Sequence, residues 1–223
     1  MPVWGVGVVS RGVFITLEGG EGSGKSGAVA RLVADLNAAG IVTVGTREPG
    51  GSHIGDRVRA VLLNMDGRPL NPRTEALLMA AERAEHVATV VEPALAAGVT
   101  VVSDRFLDSS VAYQGVARGL GAQHIHDLSV WATAGLMPDL TVFLDVEPEI
   151  GLARRMGAGE VNRMDVEGLE FHRRAREGFL WAAQQDAARF RIVGAGRDAD
   201  AVYADVWATV LDFLHGHAVE VAS

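Results

Sequence analysis

The sequence predicts an α/β domain, a parallel sheet covered by helices on both faces. Three observations carry that prediction. Short β-branched apolar runs alternate with stretches of helical period, and parallel strands need crossover connections, which are right-handed and lie on the sheet faces. A glycine-rich turn stands between the first apolar run and the first helical stretch. The chain has 223 residues, 48% hydrophobic and 22% charged, a size and balance that suit one domain with its own core rather than a disordered or fibrous chain.

Val13-Phe14-Ile15-Thr16-Leu17, bounded by Gly12 and by the Gly19-Gly20 pair, reads as a buried strand. A helix is expected to begin near Lys25, with Val29, Leu32, Val33 and Leu36 at helical spacing and Gly40 as its stop. Residues 41–44 read as a second strand. Turn residues in Arg47-Glu48-Pro49-Gly50-Gly51 break the pattern, and Ile54, Val58, Val61 and Leu62 then resume a helical period. Pro69 and Pro72 mark a loop. Residues 74–97 are periodic through Leu77, Leu78, Ala81 and Ala84, with Pro93 as a kink and Gly98 as the end. A third strand is expected over 99–102, ending at Ser103-Asp104-Arg105, a fourth over 140–144, closing on Asp145, and a fifth over 191–193. Residues 156–165, rich in Gly and polar residues between two helical patterns, read as a mobile flap.

Several function classes are set aside by composition. The net charge of −8 works against binding to polymeric DNA or RNA. Every apolar run is interrupted before the ~18 residues that a membrane-spanning helix needs. With no cysteine there is neither a disulfide framework nor a thiolate zinc site, and a reducing compartment is compatible. Residues 1–12 carry one late charge, Arg11, and no small-residue cleavage site, so they do not read as a signal peptide, and a cytoplasmic location is expected.

The strongest chemical signal is Gly19-Gly20-Glu21-Gly22-Ser23-Gly24-Lys25-Ser26. It fits G-x-x-x-x-G-K-[ST] and lies between a strand and a helix, the context that motif requires. Glycines let successive N–H groups point at phosphate oxygens, and the helix behind adds its positive end. Lys25 would reach the β and γ phosphates and Ser26 would bind magnesium. Of 20 Lys and Arg residues, Lys25 is the only Lys, which suggests a need for a compact ammonium there. Ligands of open α/β sheets bind beyond the strand carboxyl ends, where Arg47 and Arg105 fall; Arg83, on the long helix, is a third candidate for holding a second anion. Asp104 is placed as a carboxylate for magnesium, and Asp145 competes for that role. The histidines carry no metal spacing.

Read together, Leu17-Glu18-Gly19 with the glycine-rich motif, Thr46-Arg47-Glu48-Pro49-Gly50-Gly51, Ala81-Glu82-Arg83-Ala84-Glu85-His86, Ser103-Asp104-Arg105-Phe106 and Ala112-Tyr113-Gln114-Gly115 resemble bacterial thymidylate kinases in order and spacing. The resemblance runs from about residue 13 to the C-terminal helix. It implies a P-loop three-layer αβα fold with a five-stranded parallel sheet and a small lid, usually a homodimer. The expected division is an extension over 1–12, one kinase domain over 13–215 with its lid near 154–166, and a tail over 216–223. The implied reaction is transfer of the ATP γ-phosphoryl group to dTMP, with Mg²⁺.

The same resemblance implies that Glu21 holds the deoxyribose 3′-hydroxyl, that Arg47 and Arg105 grip the monophosphate, and that Arg83 meets the pyrimidine O4. Ser110 would face the N3 edge of the base, with Ser109 and Gln114 in the same pocket, and Tyr113 would pack under the sugar and disfavour a 2′-hydroxyl. Three departures stand out. Gly27 follows Ser26 where the family has Thr, Met79 takes the place of a base-stacking Phe, and the lid has Arg155 and Arg163 as its catalytic candidates, with Asn162 where an Asp is usual. These departures leave open a relative that phosphorylates another or modified pyrimidine monophosphate. A P-loop protein that binds nucleotide without transferring phosphate is the other alternative.

Overall fold

Strand β1 (Phe14–Glu18) is buried along its whole length and has a parallel neighbour on each side. These are β3 (Thr100–Asp104) and β4 (Leu140–Asp145); β2 (Thr43–Arg47) and β5 (Phe190–Gly194) form the edges, so the order is β2-β3-β1-β4-β5 with every pairing parallel. The computed structural model describes residues 11–64, 69–157 and 162–221. Nearly all of the expected N-terminal extension, residues 158–161 of the expected lid and the last two residues of the expected tail lie outside them.

Alternation along β1 feeds two faces. Ile15 and Leu17 join Leu32 and Leu36 of α1 (Lys25–Ala38) and Val206 and Val210 of α9 (Ala199–Val221) in one cluster. Phe14 turns the other way, edge-on to Phe106 at 4.9 Å, with Val91, Leu95 and Val101. On that same side of the sheet, Phe143 of β4 stacks on Phe179 of α8 (Leu169–Gln185), 5.1 Å away. Burying each such side chain contributes roughly 1.5–3 kcal/mol. A central parallel strand has both faces covered, which is why β1 reads as a continuous apolar run.

Several expected boundaries shift for local reasons. The second strand is Thr43–Arg47 rather than 41–44, because the Ile41 amide still closes the end of α1 on the Leu36 carbonyl and Asn37 holds both the N–H and the carbonyl of Thr43. Likewise Val99 donates to Ala94 before β3 begins at Thr100. After α2 (His53–Leu63), Pro72 opens α3 (Pro72–His86), where its missing N–H costs nothing and Asn71 caps the Arg73 amide. Pro93 does not break the long helix. A π-helical segment, Val87–Val91, joins α3 to α4 (Glu92–Ala96), and the Glu92 amide reaches back to the Val87 carbonyl.

Residues 107–132, to which the sequence reading assigns no helix or strand, form α5 (Leu107–Ser110), a second π-helical segment (Val111–Ala117) and α6 (Ala122–Ala132). The first two are buried nearly all round, so there is no polar stripe to reveal a helix in the sequence. The expected flap is partly helical, since Met156 and Gly157 end α7 (Pro148–Gly157). Residues 162–166 include a turn, and α9 continues through most of the expected tail.

The π-helical segment Val111–Ala117 lies against α8 at backbone distance. A Cβ added at Gly178 would stand 2.6 Å from the Ala112 Cα, whereas one added at Gly27 in α1 meets nothing within 4 Å. Gly178→Ala should therefore destabilise by about 1–3 kcal/mol and Gly27→Ala should stabilise by roughly 0.5–1 kcal/mol, with thermal denaturation as the measurement.

Candidate active site

Beyond Glu18 the chain turns through Gly19, Gly22 and Gly24, all at positive φ, and enters α1 at Lys25. Gly22 has a second reason to be glycine: a Cβ there would fall 1.9 Å from the Gly151 carbonyl oxygen, and one on Gly151 would fall 2.2 Å from that of Glu21. Helix α7 thus presses its backbone onto the loop. The first turn of α1 holds no acidic residue, so its positive end is free to meet an anion. Lys25 donates to the Gly20 carbonyl at 2.7 Å and to Ser23 Oγ at 3.1 Å. Burial and then Arg105 lower its pKa to about 8, with Glu21 and Asp104 opposing. Ser26 Oγ donates to Asp104 Oδ2 at 2.5 Å, joining the loop to the end of β3.

Arg105 follows at φ 72, a left-handed backbone that is uncommon outside glycine. Its Nη1 donates to the Gly19 carbonyl at 2.9 Å and to Ser109 Oγ at 3.0 Å, and its Nη2 pairs with Glu21 Oε1 at 2.6 Å. Tyr113 donates its hydroxyl to the same Glu21 oxygen at 3.1 Å, and its ring lies under the guanidinium. Burial would raise the Glu21 carboxyl, but Arg105 and Lys25 outweigh it and hold the pKa at about 2.

Beneath Arg105, the wholly buried Glu18 accepts from the amides of Phe106 (2.7 Å) and Ser109 (3.3 Å) and from Ser109 Oγ (2.6 Å). Burial and the nearby Asp108 push Glu18 up to about 8. Glu18 and Glu21 clasp the strand end from two sides.

These groups open onto a cavity of about 440 Å³. Of the residues expected in the site, Glu21, Gly22, Gly24, Lys25, Ser26, Arg47, Met79, Asp104, Arg105, Ser109, Tyr113, Gln114, Arg155 and Arg163 line it. Gly19, Gly20 and Ser23 stand behind that wall; Gly20 borders a small adjoining recess instead. Arg83 and Ser110, expected to face the base, do not line the cavity either. Arg83 is fully buried, with its guanidinium committed to Glu48 at 2.8 Å, Ser110 at 3.0 Å, Ser129 at 3.2 Å and the Phe106 carbonyl at 3.3 Å. Asp145 is gripped by both arms of Arg176, which leaves Asp104 as the carboxylate beside Ser26.

The flap arginines reach the cavity wall and are paired there with carboxylates. Arg155 Nε straddles the buried carboxylate of Asp165, at 3.1 and 3.0 Å. Arg163 donates to Glu75 Oε2 at 2.8 Å and to the Leu62 carbonyl at 2.9 Å, putting it next to Met79 and Gln114 along the wall. Carboxylates from α3 and from the flap's own turn capture both guanidinium groups.

Sequence reading missed Arg59, Glu75 and Asp165. Arg59 lines the cavity and donates to the Pro49 carbonyl at 2.8 Å. Burial first, and then the neighbouring Arg47 and Arg105, lower its pKa, with Asp104 opposing. Neither Arg59 nor Glu75 falls at a strand end or in a glycine-rich run, and Asp165 is the last residue of the stretch read as a flap, with nothing local to single it out.

Comparison with known proteins agrees with the geometry. The thymidylate kinase family model matches residues 17–206. A thymidylate kinase of Clostridium novyi is 44% identical over 200 residues, covering 89% of this chain and 98% of the other. One from Solidesulfovibrio magneticus is 47% identical over 205 residues, with coverage of 89% and 98%. One from Deinococcus radiodurans is 46% identical over 207 residues, with coverage of 93% and 100%.

The Glu21 and Arg105 pair sets a pH dependence. A carboxyl held near 2 in the folded state, against a usual value of 4.5, contributes stability above pH 4.5 that is lost as pH falls through 2. Glu21→Gln should cost on the order of 2–3 kcal/mol at pH 7, and the gap to wild type should narrow below pH 4.5. Urea denaturation at pH 7 and pH 3 measures it; a gap independent of pH refutes the assignment.

Proposed function

The chain belongs to the thymidylate kinase family, and from that premise we propose which of its residues carry out the transfer of the ATP γ-phosphoryl group to dTMP. The carrying observation is that Asp104 and Arg105, adjacent in sequence, meet Ser26 and Glu21 respectively. The donor and acceptor ends of the site therefore join at one strand end. Membership favours neither alternative reading, the other pyrimidine substrate or the non-catalytic binder.

At the donor end, the N–H groups of residues 19–26 and the start of α1 receive the phosphates, and Lys25 exchanges its two loop partners for phosphate oxygens. Mg²⁺ fits the donor set. Among the described residues no cluster of three or more His, Cys, Asp or Glu could hold a metal alone, while the Ser26 and Asp104 oxygens beside a phosphate site suit an ion that takes much of its shell from water and phosphate. Ser26 and Asp104 would hold it, and it would neutralise charge on the phosphates.

At the acceptor end, Arg105 and Arg47 hold the monophosphate, with Arg59 as a third cation. Glu21 accepts from the 3′-hydroxyl, and Tyr113, fixed between Glu21 and Phe179, walls off the 2′ position. Met79 covers one face of the base without the defined geometry of a ring, and Ser109 and Gln114 complete the wall. Arg155 and Arg163 supply positive charge from the flap. Positioning and neutralisation of charge account for the rate.

The proposal includes a homodimer and a cytoplasmic location. Helix α3 packs against both α2 and α6, and the three expose Val61, Leu77 and Trp131, the last to 80%, the kind of apolar surface that marks an interface.

ADP release with ATP and Mg²⁺ should be fastest with dTMP among dTMP, dUMP, dCMP, UMP and AMP; faster turnover of another member sinks the assignment. Lys25→Ala should abolish transfer in a folded protein. Arg105→Ala should lower kcat/KM for dTMP by roughly 10²-fold while moving the KM for ATP little. Equal effects on both substrates would remove Arg105 from the acceptor end.

A further inference from the structure

Glu75, on α3, is almost wholly buried and yet lines the cavity. Both of its oxygens are engaged. Oε1 accepts from Gln114 Nε2 at 2.8 Å and from Arg118 Nε at 3.4 Å; Oε2 accepts from Arg163 Nη2 at 2.8 Å and from Arg118 Nη2 at 3.3 Å. Arg118 is itself tied to Glu167 in the segment after Arg163, at 2.5 Å.

An amide side chain can turn either end toward a neighbour, and a carboxylate accepts but does not donate. Glu75 therefore decides which end of Gln114 faces it. The NH₂ group turns to Glu75, and the amide oxygen is left buried with no partner among the described residues. A buried acceptor in that condition calls for a donor. Gln114 and Met79 line the same wall.

We propose that Glu75 is a positioning residue for acceptor recognition: it fixes the Gln114 amide so that its oxygen meets a ring N–H donor of an imide base, and with its other oxygen it seats Arg163. This inference rests on the dTMP reading. Thymine carries a hydrogen at N3, whereas cytosine carries a lone pair there, so a fixed acceptor favours the first and leaves two acceptors facing each other with the second. One carboxylate thereby joins the choice of base to the placement of a flap arginine.

The test compares wild type with Glu75→Gln, measuring KM for dTMP and ATP and the ratio of kcat/KM for dTMP over dCMP. The variant should raise the KM for dTMP about tenfold, leave that for ATP within about twofold and cut the dTMP to dCMP ratio at least about tenfold. A purely structural role would not move the ratio. If wild type prefers dTMP and the variant keeps that preference, the inference is overturned; if wild type does not use dTMP, the functional reading falls first.

Should Glu75→Gln not fold, Glu75→Asp withdraws the carboxylate by one methylene. Combined with Gln114→Ala, it should lose no more discrimination than Gln114→Ala alone, because both act through one amide. Losses that multiply independently overturn the proposal.

Discussion

The ion pair between Arg105 and Glu21, 2.6 Å long, ties the end of β3 to the phosphate-binding loop, and the arrangement of both ends of the site depends on it. Burying two charges costs several kcal/mol per ion before their attraction is counted, so the pair is a poor device for stability alone. Its value lies in geometry. Arg105 also holds the Gly19 carbonyl, Glu21 also takes the Tyr113 hydroxyl, and Ser109 links Arg105 to Glu18 below. Loop, strand end and the Tyr113 ring become one unit.

That unit explains how a chain of net charge −8 binds two highly charged anions. Lys25, Arg47, Arg59 and Arg105 converge on one cavity, so the local field opposes the global one. The carboxylates admitted there are engaged: Glu21 holds Arg105, Asp104 faces Ser26, and Glu75 takes Gln114 and Arg163. Arg83, drawn behind the wall by Glu48, supports the cavity without lining it.

Much of the frame was legible because it follows from local chemistry. Apolar strand runs, the glycines before Lys25 and the strand-end positions of Arg47, Asp104 and Arg105 all carry their signal within a few residues. Two strand starts moved where helix ends reach toward the next strand, at Ile41 and Val99, and the strands run on to Glu18, Arg47, Asp104, Asp145 and Gly194. The segment from 107 to 117 was not legible, since a helix buried on most sides shows no amphipathic period.

The α/β class, the phosphate loop and the resemblance to the family are read from the sequence alone, because short-range spacing and backbone requirements set them. Tertiary contacts are what hold Gly22 against Gly151, commit Arg83 to Glu48, give Asp145 to Arg176 and bring Arg59 and Glu75 to the cavity wall. Each depends on a contact between residues distant in sequence. Which carboxylates the arginines meet is settled by which partners the fold brings within reach.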